Sequence, residues 1–279
     1  MSVINDNSFK GLVYRGYIDR YKEAKLFEID SNIPMMIIQF YLESEVTSKV
    51  SNKVYMNFKG KYILSENELE GVPVSKTEVK YLVRDNPIKH TKEEVLGLAD
   101  VYEYINNFPI EKISELTVYE LLNIHAMLFS HTPYPEYSGR YRNSSARILG
   151  SRVELVEHCD IPSRMYEVNY QFKEIIKRIS NIEEFIRSAI RLHAKLIIIH
   201  PFSDGNGRST RALFNLLMKY AGLPPMYVKL EEKEKYCEAL ESAILENNAK
   251  KLEQFFLFKI ANAIIENDEE FSSEAIKIL

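Results

Sequence analysis

The spacing of apolar positions along the chain predicts a mainly helical protein. From about residue 64 onward, apolar side chains recur every three or four residues, which is the period of an amphipathic helix. Residues 1–60 follow neither the helical nor the strand period. The longer predicted helices lie at about 91–108, 117–129, 163–179, 182–199, 207–220, 231–245 and 249–266.

Two short helices are predicted ahead of the first long one. Ser65 and Glu68 have the spacing of a capping box, and Gly71 would end the helix that they begin. Ser75 and Glu78 repeat this spacing before a second short apolar face. We therefore expect one short helix over about 65–71 and another after Ser75.

One segment within this pattern predicts β structure. Prolines and glycines interrupt the helical period between residues 133 and 161. Within that segment, the β-favouring pairs Ile148-Leu149 and 153–155 flank Gly150-Ser151, which is typical of a hairpin. The expected fold class is mainly α with one small β-hairpin.

Composition excludes several classes of protein. The chain has 279 residues, of which 46% are hydrophobic, so it can bury a core and is not disordered. Its 36 Lys and Arg against 40 Asp and Glu leave a net charge of -4, which argues against a nucleic-acid partner. Cys159 and Cys237 are too few for a disulfide scaffold. Without a long apolar run or a signal-peptide pattern at the start, we expect a soluble, cytoplasmic protein with no membrane contact.

The segment from 200 to 211, HPFSDGNGRSTR, carries the chemistry. Pro201 disfavours helical geometry at His200, so the imidazole is expected where a helix passes into a loop. Gly205 and Gly207 allow a ligand to approach the backbone closely. A helix beginning near Gly207 would direct unpaired N–H groups at an anion.

Charged side chains in the same segment suit phosphate chemistry. Arg208 and Arg211 could bind phosphate oxygens, and Asp204 is a hard ligand suited to magnesium held with phosphates. A histidine base, a carboxylate, free amides and two arginines are what phosphoryl or nucleotidyl transfer requires. The alternative is a structural helix–loop–helix corner with a capping Asp and surface arginines. The concentration of all these groups in one short segment favours the chemical site.

The segment resembles the signature of the Fic family, His-Pro-Phe-x-Asp/Glu-Gly-Asn-Gly-Arg-x-x-Arg, at every defined position. The likeness extends over about residues 90–260 and implies the Fic fold, a helical core with a β-hairpin flap. Residues 1–89 would then be an N-terminal region and residues 261–279 a helical tail. Members of this family typically transfer AMP from ATP to a hydroxyl of a target protein.

The resemblance implies a role for each matching residue. His200 would deprotonate the target hydroxyl, and Asp204 would hold Mg²⁺. Tyr236 would face the adenine, although Cys237 and Ile244 stand where the family often has a second Tyr and an Asn. The full set of nucleotide-binding residues would be Gly205, Asn206, Gly207, Arg208, Arg211 and Tyr236, with a donor from the Asn206 side chain.

Two further elements resemble parts of Fic proteins. Residues Ile148, Leu149 and Gly150 would belong to a flap that docks an extended target segment by strand addition, with a plain structural hairpin as the alternative. Residues 65–71 resemble the family's inhibitory helix, Ser/Thr-x-x-x-Glu-Gly/Asn, whose Glu, here Glu70, would pair with Arg211. Glu66 stands at the Ser/Thr position. A solvated acidic helix is the competing interpretation.

The function that the resemblance implies is Mg²⁺-dependent transfer of AMP from ATP to a Ser, Thr or Tyr hydroxyl of a target protein or of the protein itself. An N-terminal helix would inhibit it. Transfer of another nucleotide or phosphocholine, removal of AMP from a target, and a silent nucleotide-binding interaction module are the alternatives. A homo-oligomer is left open, and His125 and His193 are interpreted as packing residues.

Overall fold

The computed structural model describes residues 32–43, 52–84, 91–134 and 136–278, with side chains described up to residue 266 and from residue 58 within the second range. Of the predicted N-terminal region, residues 1–31, 44–51 and 85–89 lie outside these ranges. The helices are α1 (Asn32–Glu43), α2 (Asn52–Leu69), α3 (Lys76–Leu82), α4 (Glu93–Asn107), α5 (Glu120–Leu128), α6 (Ile161–Lys177), α7 (Ile182–Ile199), α8 (Asn206–Tyr220), α9 (Lys233–Leu245) and α10 (Lys250–Ile278). Short 3₁₀ turns cover Ile110–Glu115, His158–Asp160, Arg178–Ser180 and Leu230–Glu232. Among the helices of these ranges, none is both long enough and apolar enough to cross a bilayer.

Helix α8 lies at the centre of the fold. It contacts α4, α5 and α7, and most of its residues are buried. The buried residues of its first two turns are largely polar: Asn206, Arg208, Ser209, Thr210 and Arg211. Burying a charge without a partner is costly. Both guanidiniums are paired with carboxylates from other segments, Arg208 with Glu94 and Arg211 with Glu66 and Glu70.

The predicted short helix at 65–71 is the C-terminal part of the longer helix α2, so its start was predicted wrongly. Ser65 is buried inside α2 and does not cap a helix. The helix continues through this residue because Tyr62 and Ile63 before it and Leu69 after it are all buried in the core. It ends at Leu69, two residues before the predicted stop at Gly71, whose left-handed φ of 71° lets the N–H of Val72 donate to the carbonyl of Asn67 in the last turn.

The predicted helix after Ser75 is confirmed. Ser75 Oγ accepts the N–H of Glu78, and the Glu78 carboxylate accepts the N–H of Ser75, which together form a capping box at the start of α3. Helix α1 was not predicted. It buries Met35, Ile37 and Ile38, and it packs on α10, which is more than 200 residues away in sequence.

The predicted hairpin does not form in the described part of the chain. A turn closes from Ile148 to Ser151, with Gly150 at φ 77°, but no strand pairing flanks it. The polar groups of this segment are satisfied by neighbouring helices instead. Ser151 Oγ and the N–H of Arg152 donate to Glu241 on α9 at 2.6 and 3.1 Å, and the N–H of Val156 donates to a carbonyl of α7. The flap is therefore an extended segment anchored to α9 and α7.

Candidate active site

His200 ends helix α7 in the left-handed conformation, with φ 48° and ψ 59°. Its carbonyl accepts a hydrogen bond from the Arg142 guanidinium at 2.7 Å, and the next carbonyl, of Pro201, accepts the Arg142 N–H at 2.8 Å. The imidazole Nδ1 lies 3.3 Å from the carbonyl of Ile197, so Nδ1 carries the proton and Nε2 keeps its lone pair. Burial lowers the pKa of His200 below its ordinary value. The ring is therefore neutral at pH 7, as a general base must be.

The loop between α7 and α8 is closed by a side chain that sequence analysis assigned to anion binding. Asn206 accepts the N–H of Phe202 at 2.9 Å and donates to the carbonyl of the same residue at 2.8 Å. Phe202 is fully buried, as expected for a structural residue. One N–H of its amide and its oxygen are thus used within the loop, and the predicted donor to an anion would be the second N–H of the amide.

His125 holds the same loop from the other side, and sequence analysis had interpreted it only as packing. Its ring stacks on Phe202 with centroids 3.8 Å apart. Nδ1 accepts the N–H of Gly139 at 2.9 Å, so Nε2 carries the proton and donates to the carbonyl of Asp204 at 3.0 Å. His125 thus ties the loop to the segment that leads into the flap.

The space over the N-terminus of α8 is narrow. Gly205 precedes the helix with φ 72°, and no side chain caps it. A Cβ on Gly205 would lie 2.5 Å from the ring of Phe129. A Cβ on Gly207 would lie 2.7 Å from Oε1 of Glu70 and 2.9 Å from Nη1 of Arg211. A carboxylate oxygen therefore sits over the first turn of α8, where helix amides and their dipole attract anions.

Arg208 is held between two carboxylates. Its guanidinium donates to Glu94, at the start of α4, at 2.6 Å and to Asp204 at 3.3 Å. The Arg208 side chain is buried, whereas that of Asp204 is 68% exposed. Asp204 can therefore offer oxygens to a ligand without leaving the loop. The role of Glu94 has no sequence signal, because it lies 114 residues away from its partner.

Arg211 is bound by two carboxylates at the C-terminal end of α2, Glu66 within the helix and Glu70 directly after it. Glu70 Oε1 accepts from Nη2 at 2.9 Å, which confirms the predicted contact. Glu66 is fully buried and makes the larger contact: its two oxygens lie 3.0 and 2.8 Å from Nε, and one lies 2.7 Å from Nη2. Sequence analysis noted Glu66 only as a departure from the Ser/Thr position, yet it anchors the end of α2 to α8.

The two carboxylates differ in their environment. Burial raises the pKa of Glu66, and Arg211 offsets this only in part. Burial also acts on Glu70, but the charge and hydrogen bond of Arg211 outweigh it and hold the pKa of Glu70 below its ordinary value. Glu70 is 30% exposed and its Oε1 lies over Gly207, so it is the carboxylate that a ligand at this helix N-terminus would have to displace.

Tyr236 lies on α9 beside this cluster. Its ring centroid is 5.8 Å from the Arg211 guanidinium carbon, and its hydroxyl oxygen is 2.7 Å from Nε2 of His193. Both side chains are buried, which confirms His193 as a core histidine. Cys237, the next residue, is exposed, and its thiol is free. Tyr236 thus contributes its ring to the wall behind Arg211.

Residues 115–218 match the family model described as "Fic/DOC family". The chain carries a Fic domain. It is 30% identical over 187 residues to a "Protein adenylyltransferase Fic" of Nematostella vectensis, covering 65% of this chain and 42% of that protein. A protein of the same name from Aedes aegypti is 30% identical over 154 residues, covering 54% of this chain and 29% of its own. The chain therefore spans less than half the length of these relatives.

Solved structures share the architecture of this Fic domain and of the helices around it. Fic-1 from C. elegans superposes with a TM-score of 0.72, with 17% identity, over 97% of this chain and 80% of that one. A Fic domain containing signaling protein from Bacteroides thetaiotaomicron gives 0.59, with 18% identity, over 93% and 92%. At such low identity the likeness establishes the fold and nothing further.

Most of the predicted site residues come together at one end of α8 in the Fic domain. His200, Asp204 and the glycines lie on the loop or the first turn, and Arg208 and Arg211 extend from the helix. Glu70 joins them from the residue after α2. Ile148, Leu149 and Gly150 lie on the flap, where Leu149 is 97% exposed.

Proposed function

We propose that this protein transfers AMP from ATP to a hydroxyl group of a target protein, itself included. The observation that carries the proposal is the placement of a neutral His200 with a free Nε2 at the loop that leads to an uncapped helix N-terminus and two arginines. The relatives named protein adenylyltransferase add support from sequence.

In the proposed reaction, Nε2 of His200 removes the proton from the target hydroxyl. The oxygen attacks the α-phosphorus of ATP, forming a new P–O bond, while the bond to the bridging oxygen breaks and pyrophosphate leaves. Amides of the first turn of α8, with Arg208 and Arg211, stabilise the charge on the phosphates. Because little covalent chemistry falls to the protein, positioning and electrostatics supply most of the rate.

The proposed cofactor is Mg²⁺, and Asp204 would hold it. Mg²⁺ in nucleotide sites uses one or two carboxylates and completes its shell with phosphate oxygens and water. Asp204 fits this role because it is exposed beside the helix N-terminus, whereas the described residues do not gather three or more metal-ligating side chains in one place. The ion would neutralise phosphate charge that the arginines alone leave uncompensated.

We further propose that α2 inhibits the transfer. Glu70 Oε1 occupies the space over Gly207 and pairs with Arg211, so it competes with phosphate oxygens for the same donors. The interpretation as a solvated acidic helix is disfavoured by the burial of Glu66 and Asn67 and by the Lys233 side chain, which donates to the last carbonyl of α2, that of Leu69.

Incubation with α-labelled ATP tests the proposal. We expect label in protein with the unmodified chain, at least about tenfold more with Glu70→Gly, and none with His200→Ala. Glu68→Gln, on the same helix, is the matched control and should behave as the parent. Label from α-labelled GTP, CTP or UTP but not ATP would replace AMP as the transferred group. Absence of label with every nucleotide, even after Glu70→Gly, would refute transferase activity.

A further inference from the structure

Glu66 contacts the phosphate-binding arginine without entering the phosphate site. It is fully buried, and its carboxylate accepts hydrogen bonds from Nε and Nη2 of Arg211. Glu70, one helical turn later, reaches only Nη2 and extends over Gly207. The two carboxylates therefore restrain Arg211 in different ways, one from the core and one from the ligand side.

Glu66 occupies one of the two edges through which Arg211 could bind a phosphate with two donors. An arginine binds an oxyanion most strongly through two parallel N–H donors. With Glu66 on the Nε–Nη2 edge, the Nη1–Nη2 end is left for a phosphate, and Nη1 lies 2.9 Å from the Cβ position of Gly207. Removal of Glu70 alone thus frees this end, but the charge of Arg211 stays paired with the buried Glu66.

Charge leads to the same conclusion. With both carboxylates ionised, the three side chains Arg211, Glu66 and Glu70 carry a net charge of -1. Loss of Glu70 brings this charge to zero, and loss of both carboxylates brings it to +1. Because the neighbouring charges stay the same, the attraction for a terminal phosphate increases at each of these two steps.

We propose that Glu66 is a second, core-side restraint on Arg211, which sets how strongly the site distinguishes a triphosphate from a diphosphate. Glu66 is a positioning residue in this scheme, because it acts on the nucleotide only through Arg211. The inference rests on the proposed nucleotide site, but it requires only binding and no transfer of AMP.

The test is the ratio of the ADP to the ATP dissociation constant, measured by calorimetry with Mg²⁺ on the full chain. We expect a ratio near one for the parent and for Glu66→Gln, because Glu70 still covers Gly207 in both. Glu70→Gly should raise the ratio modestly. Glu66→Gln combined with Glu70→Gly should raise it about fivefold or more beyond Glu70→Gly, which is the size of one partly screened charge-assisted hydrogen bond.

A merely structural role for Glu66 would lower stability without changing this ratio. A ratio for the double variant within about twofold of that for Glu70→Gly overturns the proposal. Glu68→Gln in the Glu70→Gly background is the control and should leave the ratio unchanged. If the double variant fails to fold, Arg211→Met in the Glu70→Gly background gives the converse test: a change of less than about twofold supports the restraint, and a larger fall overturns it.

The two proposals can fail separately. If the ratio rises as expected but no variant incorporates label from α-labelled ATP, the transferase function fails and the restraint by Glu66 stands. If label is incorporated but the ratio stays flat, the transferase function stands and the restraint fails.

Discussion

Acid should destabilise the protein through His125, which ties the loop between α7 and α8 to the segment that leads into the flap. His125 is 1% exposed and accepts the N–H of Gly139 through Nδ1. Protonation would place a second N–H against that donor and break the tie. Burial is the largest effect on the pKa of His125 and, with the nearby Arg208, lowers it to about 4, although the carbonyl and charge of Asp204 oppose the shift.

The sign and size of the effect follow from linkage. In the unfolded chain a histidine titrates near pH 6.5, so between pH 6.5 and 4 the unfolded state binds more protons and folding stability falls as the pH falls. With a folded pKa of about 4, the loss at pH 5 relative to pH 7 is about 2 kcal/mol. This contribution is absent above pH 7.

Urea unfolding at pH 7 and at pH 5 measures this loss of folding stability. His125→Gln should start from a lower stability at pH 7 but lose about 2 kcal/mol less than the parent on going to pH 5. Buried His193, whose pKa burial lowers to about 3, leaves a residual acid loss in this variant. His131→Gln, at an exposed histidine, should leave the acid loss in place. An equal acid loss in the parent and in His125→Gln would refute the reasoning.

Three further outcomes are expected from thermal or urea unfolding. Gly205→Ala should lower the free energy of unfolding by at least about 2 kcal/mol, because φ is 72° and the new Cβ would lie 2.5 Å from the Phe129 ring. An unchanged free energy of unfolding would mean that the loop moves freely. Arg142→Lys should lower the free energy of unfolding by about 2–3 kcal/mol, since a lysine cannot replace a buried guanidinium that donates to four backbone carbonyls. Full stability in this variant would contradict that role. Leu149→Ser should change stability by less than about 0.5 kcal/mol, because the side chain is 97% exposed; a larger loss would show that the flap packs against the core.

The loop between α7 and α8 could be recognised from sequence, whereas the other residues of the site could not. The order of residues from His200 to Arg211 fixed the end of one helix, the start of the next and the chemistry between them. These features depend on backbone preferences of neighbours in sequence, such as Pro201 after His200, and they could be predicted. So could the capping box of Ser75 and Glu78, whose two hydrogen bonds span three residues.

Contacts between distant segments could not be predicted in this way. Glu66 and Arg211 are 145 residues apart, and Arg208 and Glu94 are 114 apart, so only the packing of α2 and α4 against α8 pairs them. The predicted hairpin failed for the same reason: α7 and α9 offered its polar groups better partners than its own two halves did. Local sequence thus determined which groups line the proposed phosphate site. Tertiary packing decided which of them are already occupied, because a buried charge takes its partner from whichever element lies against it.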